Sequence, residues 1–557
     1  MNDKLKRIGA LLICLAMMVT LCLPVMGATK PLSVPPSADD TGTVSVSGLK
    51  AGDTVTFYQI VRAKYDATGF AGYEAVKDPN IVLFNPAGQP IYPNAQQIAA
   101  LSKDSQILVG GISKTANGAG VVTADLKAGE WLAIVTPVDA VTIYNPLVVS
   151  VYYTNSGGTI ESGELNVANG QTYNITGSDS YVKQTAVDVD KTITGNTMED
   201  VQTSHGDDLA VGDSVTFKIE STIPAYSQEY ENIVYTIKDE MDAGLDLAAG
   251  SVSVKIGGQV VSGSADTFTL TPSAHGFEVA FSEEYVRQFS DKTDEQRKVE
   301  ITYSAALNGN ATVNFDANDN KVTVTYTNSP EENAQAKTIE KETHQYTFAI
   351  DGNINGSQTT VNRRGHEIIK VNENGEPETI EWVNDGTDET TVTTGLAGAK
   401  FTLTQIKDSK GNNITNGKIY TATTDGNGYF DGFTGLDAGT YELVETEAPA
   451  GYSLNSQKHT VVISANYDES TGLLLDYSIK IDNTATSTYQ ATYSGTEVTQ
   501  ITTVGEPQTT FIKNTKLNAL PSTGGNGTYL LTVFGVAVFA LAMSMVFRDN
   551  RKFRQIK

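Results

Sequence analysis

Two cysteines occur in 557 residues, Cys14 and Cys22, and both lie within the first 28 positions. A chain that loses that stretch carries no thiol, which excludes disulfides and cysteine-ligated metal as braces for the remainder. Histidine is scarce as well: His205, His275, His344, His366 and His459 form no close pair. No glycine-flanked Ser or Cys nucleophile accompanies them, so no hydrolytic or metal-dependent constellation is visible, and no cofactor is indicated. Positive charge is in deficit, with 39 Lys and Arg against 65 Asp and Glu, a net −26 and a pI near 4.6. Such a surface repels nucleic acid and anionic membrane and favours solubility outside the cell. Long apolar runs are confined to the two ends.

What the ends contain is ordered. Lys4, Lys6 and Arg7 precede an apolar stretch from Ile8 to Val25 and the small residues Gly27 and Ala28. That layout is a secretory leader over residues 1–28, removed near Ala28 together with both cysteines. At the other end, Leu520-Pro521-Ser522-Thr523-Gly524 is followed by a mostly apolar run, Tyr529 to Phe547, and then by Arg548, Arg551, Lys552, Arg554 and Lys557. The run has the roughly 20 residues that a bilayer core needs, and its basic flank holds it on the cytoplasmic side.

Between the ends, the composition favours strands and turns: Thr, Val, Tyr, Gly and Asn are abundant, and short alternating segments such as Val44-Ser45-Val46 and Thr54 to Val61 are broken by Gly and Asp. Only Pro93–Lys103 and Glu283–Gln288 have helical character, so the expected fold is all-β, with tandem Ig-like sandwiches. Residues 29–523 are long enough for about three domains. An internal repeat divides them. Leu126-Lys127-Ala128-Gly129-Glu130-Trp131-Leu132 recurs as Leu436-Asp437-Ala438-Gly439-Thr440-Tyr441-Glu442 at an offset of 310 (436 − 126), and Gly48–Gly52 has a looser echo at Gly395–Ala399. The outer domains therefore read as copies of one sandwich type, over 29–183 and 331–518, flanking a different one over 184–330.

Polar residues interrupt the apolar faces of several strands. Lys191 shares parity with Val187, Val189 and Ile193; Asp239 with Tyr235, Ile237 and Met241; Asn328 with Val322, Val324 and Tyr326. The last domain repeats this with Lys370 beside Ile368, Glu445 beside Tyr441 and Leu443, and Asn514 beside Ile512. An isolated buried charge costs several kcal/mol, so these groups must meet one another. Together in a dry core, desolvation turns Lys toward a free, nucleophilic amine and the carboxyl toward its neutral acid, which can hydrogen-bond the Asn amide and move protons.

The LPSTG segment, apolar run and basic tail resemble the LPxTG signal that a sortase cleaves between Thr and Gly, here Thr523–Gly524. Tyr441–Tyr452, with Phe401 in Ala399–Leu403, resembles the E-box of Gram-positive pilins and collagen-adhesin B-type domains. On these motifs nearly the whole chain is similar to the sortase-assembled backbone pilins, whose first and last domains are of collagen-adhesin B type (CnaB) and whose middle one is of A type (CnaA). The resemblance implies Lys–Asn isopeptide bonds, Lys191 to Asn328 with Asp239 as catalyst and Lys370 to Asn514 with Glu445. These would close loops of 137 (328 − 191) and 144 (514 − 370) residues, each stabilising by about 4–5 kcal/mol if chain entropy behaves as for disulfides. The first domain has Val135 where the offset places Glu445, and no Lys in its opening strand Thr43–Ser47, so no such bond is expected there.

The resemblance further implies a shaft subunit joined through Thr523 to an acceptor lysine. Tyr181-Val182-Lys183-Gln184 stands where the family carries Tyr-Pro-Lys-Asn; it departs at two positions and lacks the upstream Trp. Lys183 is the acceptor on this reading and a solvated edge lysine on the bland one. Implied partners are a pilus-specific class C sortase, identical subunits in a covalent homopolymer, minor pilins and peptidoglycan, with no nucleic acid. The subunit is a substrate, not an enzyme, apart from single-turnover isopeptide formation. A monomeric wall-anchored adhesin, or a minor tip or base pilin, stays open as the alternative. Asp316–Asn320 offers oxygens for calcium but reads first as an acidic turn. The acidic run Asn372–Glu389, with Trp382, reads as an exposed insertion where a host surface ligand could bind.

Overall fold

The computed structural model describes residues 30–553, apart from 32–33, 67–68, 78–80, 140, 156–157, 161–171, 229, 331–334, 353–366, 376–394, 483, 505–508 and 518–525. The leader, the LPSTG pentapeptide, His366 and most of the acidic run with Trp382 therefore lie outside the described residues. The chain divides into two compact units, one comprising Met1–Thr312, Ala317–Thr347 and Tyr467–Leu474, the other Val313–Asp316, Phe348–Asn466 and Leu475–Lys557.

The first unit contains two sandwiches with separate cores. In the first sandwich, Thr41–Ser47 alternates buried Val44 and Val46 with Thr and Ser, and it pairs with Val121–Lys127 and, in parallel, with Asp179–Tyr181. The opposing sheet is built on Thr54–Asp66, Gly129–Thr136 and Leu147–Asn155. Val44, Phe57, Leu132, Val151 and Tyr173 fill the space between. In the second sandwich, one sheet runs through Val189–Asn196, Ser214–Thr222 and Lys298–Leu307, the other through Tyr235–Met241, Asn318–Tyr326 and Lys337–Tyr346.

The last of these strands corrects a boundary. The sequence reading ends the middle domain at 330, yet Lys337–Tyr346 pairs antiparallel with Asn318–Tyr326 along its length, and the first unit continues to Thr347. The first part of that strand is a solvated edge rich in Lys, Glu and Thr, so it lacks the alternation that marks a half-buried strand. The third sandwich therefore begins near Phe348 and not at 331. Its main sheet includes Lys400–Lys407, Gly439–Glu447 and Lys458–Tyr467, and a short parallel pair joins Ile368–Asn372 to Thr510–Asn514.

The repeat is visible in three dimensions. Gly129 and Gly439 both open a strand with positive φ, 137° and 147°. A Cβ at either would lie 1.9 Å from the Val61 carbonyl oxygen or 2.4 Å from that of Lys407. Two residues on, the Trp131 indole N–H donates to the Lys127 carbonyl (2.9 Å), and the Tyr441 hydroxyl donates to that of Asp437 (2.7 Å). The same aromatic tether recurs at the 310-residue offset.

Both expected helices form, as Ala95–Leu101 behind an Asn94/Gln97 capping box and Glu283–Arg287 capped by Ser282. A third, Asp294–Arg297, follows a Thr293/Gln296 capping box. Near the C-terminus, Asn526–Phe553 is helical, and its Leu531–Arg548 stretch, with mean hydropathy 2.0, is long and apolar enough to cross a membrane.

Candidate functional site

Parity put Lys191 on the inner face of its strand, and the fold completes the enclosure. Lys191 pairs with Ile219, which pairs with Ile301; Ile193, Phe217 and Tyr303 form the adjacent row. The Phe217 and Tyr303 rings stack 5.2 Å apart and each lies 5.5 Å from Lys191 Nζ. From the facing sheet come Asp239 and, on the neighbouring strand, Asn320, whose register partners are Val322 and Met241 respectively. Lys191 Nζ makes a short contact with Asp239 Oδ2 and donates to Asn320 Oδ1 at 2.6 Å. The Tyr303 hydroxyl donates to Asp239 Oδ2 (2.7 Å) and accepts from Asn320 Nδ2 (2.9 Å).

Here the structure corrects the expected partner. Asn328 lies two residues beyond the strand Asn318–Tyr326, whereas Asn320 is the Asn at Lys191. Both share one parity, so the alternation identifies the face; the distance along it follows from register with the Asp239 strand, which no local pattern encodes. The Asp316–Asn320 stretch is accordingly no open acidic turn. Asn318 and Asn320 point inward, Asn318 Nδ2 donating to the Thr312 and Gln345 carbonyls, while Asp319 Oδ1 meets His344 Nδ1 at 2.6 Å on the other face.

In the third sandwich the expected residues do meet. Lys370 pairs with Ile512 across the parallel ladder, which sets Asn514 diagonally beside it. Lys370 Nζ donates to Asn514 Oδ1 at 2.6 Å, Asn514 Nδ2 donates to Glu445 Oε1 at 2.7 Å, and that oxygen is 3.5 Å from Nζ. Phe401, register partner of Glu445, lies with its ring centroid 5.5 Å from Nζ. The Asn455 backbone N–H holds Glu445 Oε2 at 2.8 Å.

Both lysines are 0 % exposed. Burial pushes the Lys191 amine down to about 8 against the opposing pull of Asp239, and it pushes Lys370 to about 8 against Glu445. Burial also raises the Asp239 carboxyl, with Lys191 offsetting part of the rise. In both sites the lysine thus moves toward the free amine that amide exchange needs, and in the middle site the facing carboxyl moves toward its neutral acid.

The first sandwich has a different interior at the corresponding place. Val135 is buried opposite Val55. Glu130, which the sequence reading did not single out, is 2 % exposed, accepts from the Tyr152 hydroxyl at 2.6 Å and is raised by burial to about 7.

Lys183 is exposed on a fixed backbone. Val182 before it is buried and donates to the Ser47 carbonyl; the Lys183 carbonyl accepts from Asn145 N–H at 3.0 Å; Gln184–Ala186 then pairs with Thr142–Tyr144. Thr185 is held by buried Arg297, whose guanidinium also donates to the Ile223 carbonyl. Among the described residues the Lys183 ammonium has no hydrogen bond or ion pair.

Family models tile this architecture. A T6 antigen Ig-like domain matches residues 39–183, a Gram-positive pilin backbone subunit 2 Cna-B-like domain matches 211–330, a prealbumin-like fold domain matches 385–473, and an LPXTG cell wall anchor motif matches 512–552. The middle match carries a B-like description where the resemblance implied an A type; the sandwich is common to both. The trypsin-resistant surface T6 protein of Streptococcus pyogenes serotype M6 is 24% identical over 97% of this chain and 100% of its own. The solved T6 backbone pilin of that serotype, described as a modular three-domain structure, covers 87% of this chain and 100% of its own at TM-score 0.57 and 18% identity. The major pilin SpaD of Corynebacterium diphtheriae covers 87% of this chain and 99% of its own at TM-score 0.43 and 16% identity.

Tandem sandwiches ahead of an LPXTG anchor define a cell-wall-anchored surface protein of a Gram-positive bacterium. A pilin-backbone domain lies between the Ig-like and prealbumin-like ones, and the anchor directs sortase processing and attachment to peptidoglycan. The pilin-backbone domain, the anchor and the full-length likeness to a T6 surface protein support a sortase-assembled backbone pilin, a structural subunit of the pilus shaft.

Proposed function

We propose that the subunit polymerises through an amide between Thr523 of one copy and Lys183 of the next, formed by a pilus-specific class C sortase, and that two internal isopeptide bonds brace it. These are Lys191 to Asn320, with Asp239 as proton carrier, and Lys370 to Asn514, with Glu445. The observation that carries the reading is the pair of buried Lys–Asn–carboxyl contacts, each with Nζ at 2.6 Å from the amide oxygen. In each bond the neutral amine attacks the Asn Cγ, the Cγ–Nδ2 bond breaks, and one ammonia leaves; holding the reactants in contact supplies the effective concentration. Minor pilins and a host surface ligand on the acidic run complete the assembly on this reading.

Intact mass of the leaderless chain tests the bracing, which predicts the loss of two ammonia molecules. A Lys183→Ala variant tests the joint. The high-mass ladder on the producing cells should disappear, and a ladder of unchanged length would reject Lys183 as the acceptor.

A further inference from the structure

The two candidate cross-linking sites are wired differently. In the third sandwich the carboxylate reaches the amide itself, Glu445 Oε1 accepting from Asn514 Nδ2 at 2.7 Å. In the middle sandwich Asp239 has one methylene fewer, and the hydroxyl of Tyr303 stands between it and the amide. Both polar contacts of Asp239 converge on Oδ2, from Lys191 Nζ and Tyr303 Oη, while Oδ1 is buried with no hydrogen-bond partner among the described residues. Tyr303 is 1% exposed, and burial beside Asp239 holds its phenol protonated far above the usual range.

We infer that Tyr303 is the proton relay of the middle-domain cross-link, carrying a proton from Asp239 to the departing nitrogen of Asn320. The inference rests on the proposed Lys191–Asn320 bond. The steps balance. Lys191 Nζ, with its extra proton on Asp239 Oδ2, attacks Asn320 Cγ. Tyr303 gives its hydroxyl proton to Nδ2 and takes the one on Oδ2, so the phenolate is never left free. The Cγ–Nδ2 bond breaks and ammonia leaves. The surplus proton on the new amide nitrogen returns to Asp239. Without the hydroxyl no hydrogen-bonded path joins the acid to Nδ2 among the described residues, and general acid assistance worth roughly a hundredfold or more is lost.

The test uses the full extracellular chain with three substitutions, Tyr303→Phe, Asp239→Glu and both together. Mass spectrometry with peptide mapping follows the 191–320 bond over time, and the Lys370–Asn514 bond in the same molecules serves as the internal control. Wild type must first show the 191–320 linkage; its absence there rejects the cross-link reading itself, whatever Tyr303 does. Given that linkage, Tyr303→Phe should slow its formation about a hundredfold or more, leaving the other bond complete. A longer carboxylate, as at position 445, should reach the amide directly, so Asp239→Glu should be insensitive to Tyr303→Phe and should rescue it. Tyr303→Phe that cross-links at the wild-type rate overturns the relay. So does a double variant no faster than Tyr303→Phe alone, since that outcome assigns the hydroxyl to packing.

Discussion

Asn320 and Asn328 give opposite answers to one experiment. Lys191 Nζ lies 2.6 Å from Asn320 Oδ1, and a bond there closes a loop of 129 residues. Chain entropy values that closure at about 5 kcal/mol at room temperature. For a domain of roughly 160 residues each kcal/mol moves Tm by about 2–4 °C, so losing the bond should lower the middle-domain transition by about 10–20 °C. Asn328 is 8% exposed and makes no side-chain hydrogen bond among the described residues, so its truncation should cost under about 1 kcal/mol. Asn320→Ala and Asn328→Ala are therefore compared by intact mass and calorimetry. Asn320→Ala should fall one ammonia below its own sequence mass, where wild type falls two below, and should lose its high transition; Asn328→Ala should match wild type in both. A deficit of only one ammonia in Asn328→Ala, or of two in Asn320→Ala, would refute the assignment of Asn320.

Further expectations concern the first sandwich. Glu130 is raised from 4.5 to about 7 in the fold, so the folded state binds the extra proton. Its stabilising contribution is complete below pH 4.5 and lost as pH rises through about 7, a fall of up to about 3 kcal/mol. Glu130→Gln, which keeps an acceptor for Tyr152, should flatten the pH dependence of the first transition and raise its Tm at pH 8; an unchanged slope would show that Glu130 ionises freely. Gly129→Ala forces a Cβ to 1.9 Å from the Val61 carbonyl oxygen at φ 137°. It should destabilise that domain by about 3 kcal/mol in a denaturant titration, and a loss below 1 would mean the turn relaxes.

Much of this was legible because strand patterning exposes its exceptions. A Lys, an Asp or an Asn on an otherwise apolar parity is conspicuous, and Lys191, Asp239, Lys370, Glu445 and Asn514 all reach buried contacts. The repeat was legible for a related reason: Gly129 and Gly439 occupy a backbone position that other residues fill only with strain. What escaped depends on pairing between distant strands. Asn320 and Asn328 have the same parity, and only the register Met241↔Asn320 distinguishes them. Nothing in the sequence separates Tyr303 from other aromatics on strands such as Lys298–Leu307, because its hydroxyl acquires meaning only from two residues on the facing sheet. Lys337–Tyr346 escaped because its first half is a sheet edge that faces water and carries no apolar signal.

The positions of the joints along the chain give the cross-links a mechanical meaning. When subunits are linked through Lys183 and Thr523, load travels along 340 residues (523 − 183). Everything before Lys183 hangs outside that path, so the first sandwich needs no covalent brace, and Val135 can stand where a carboxyl would otherwise serve. Within the path, the proposed bonds at 191–320 and 370–514 would lock the long loops. Only 8 residues (191 − 183), 50 residues (370 − 320) and 9 residues (523 − 514) remain free to lengthen. At about 3.4 Å per extended residue, an unbraced subunit could pay out about 1,100 Å, whereas the braced one is limited to about 200 Å. Most of that reserve lies after Asn320, where Lys337–Tyr346 pairs back onto Asn318–Tyr326 and places Thr343 opposite Asn320. Peeling of the exposed first half of that strand, before His344–Tyr346 pair with Gly206–Asp208 on the other side, is therefore the first extension expected under tension. Single-polymer force spectroscopy should show steps under about 200 Å per subunit, rising toward the longer value in a Lys191→Ala, Lys370→Ala double variant. Long steps in wild type would mean that the bonds are absent or that load enters elsewhere than Lys183, and the Lys183→Ala ladder assay separates those two failures.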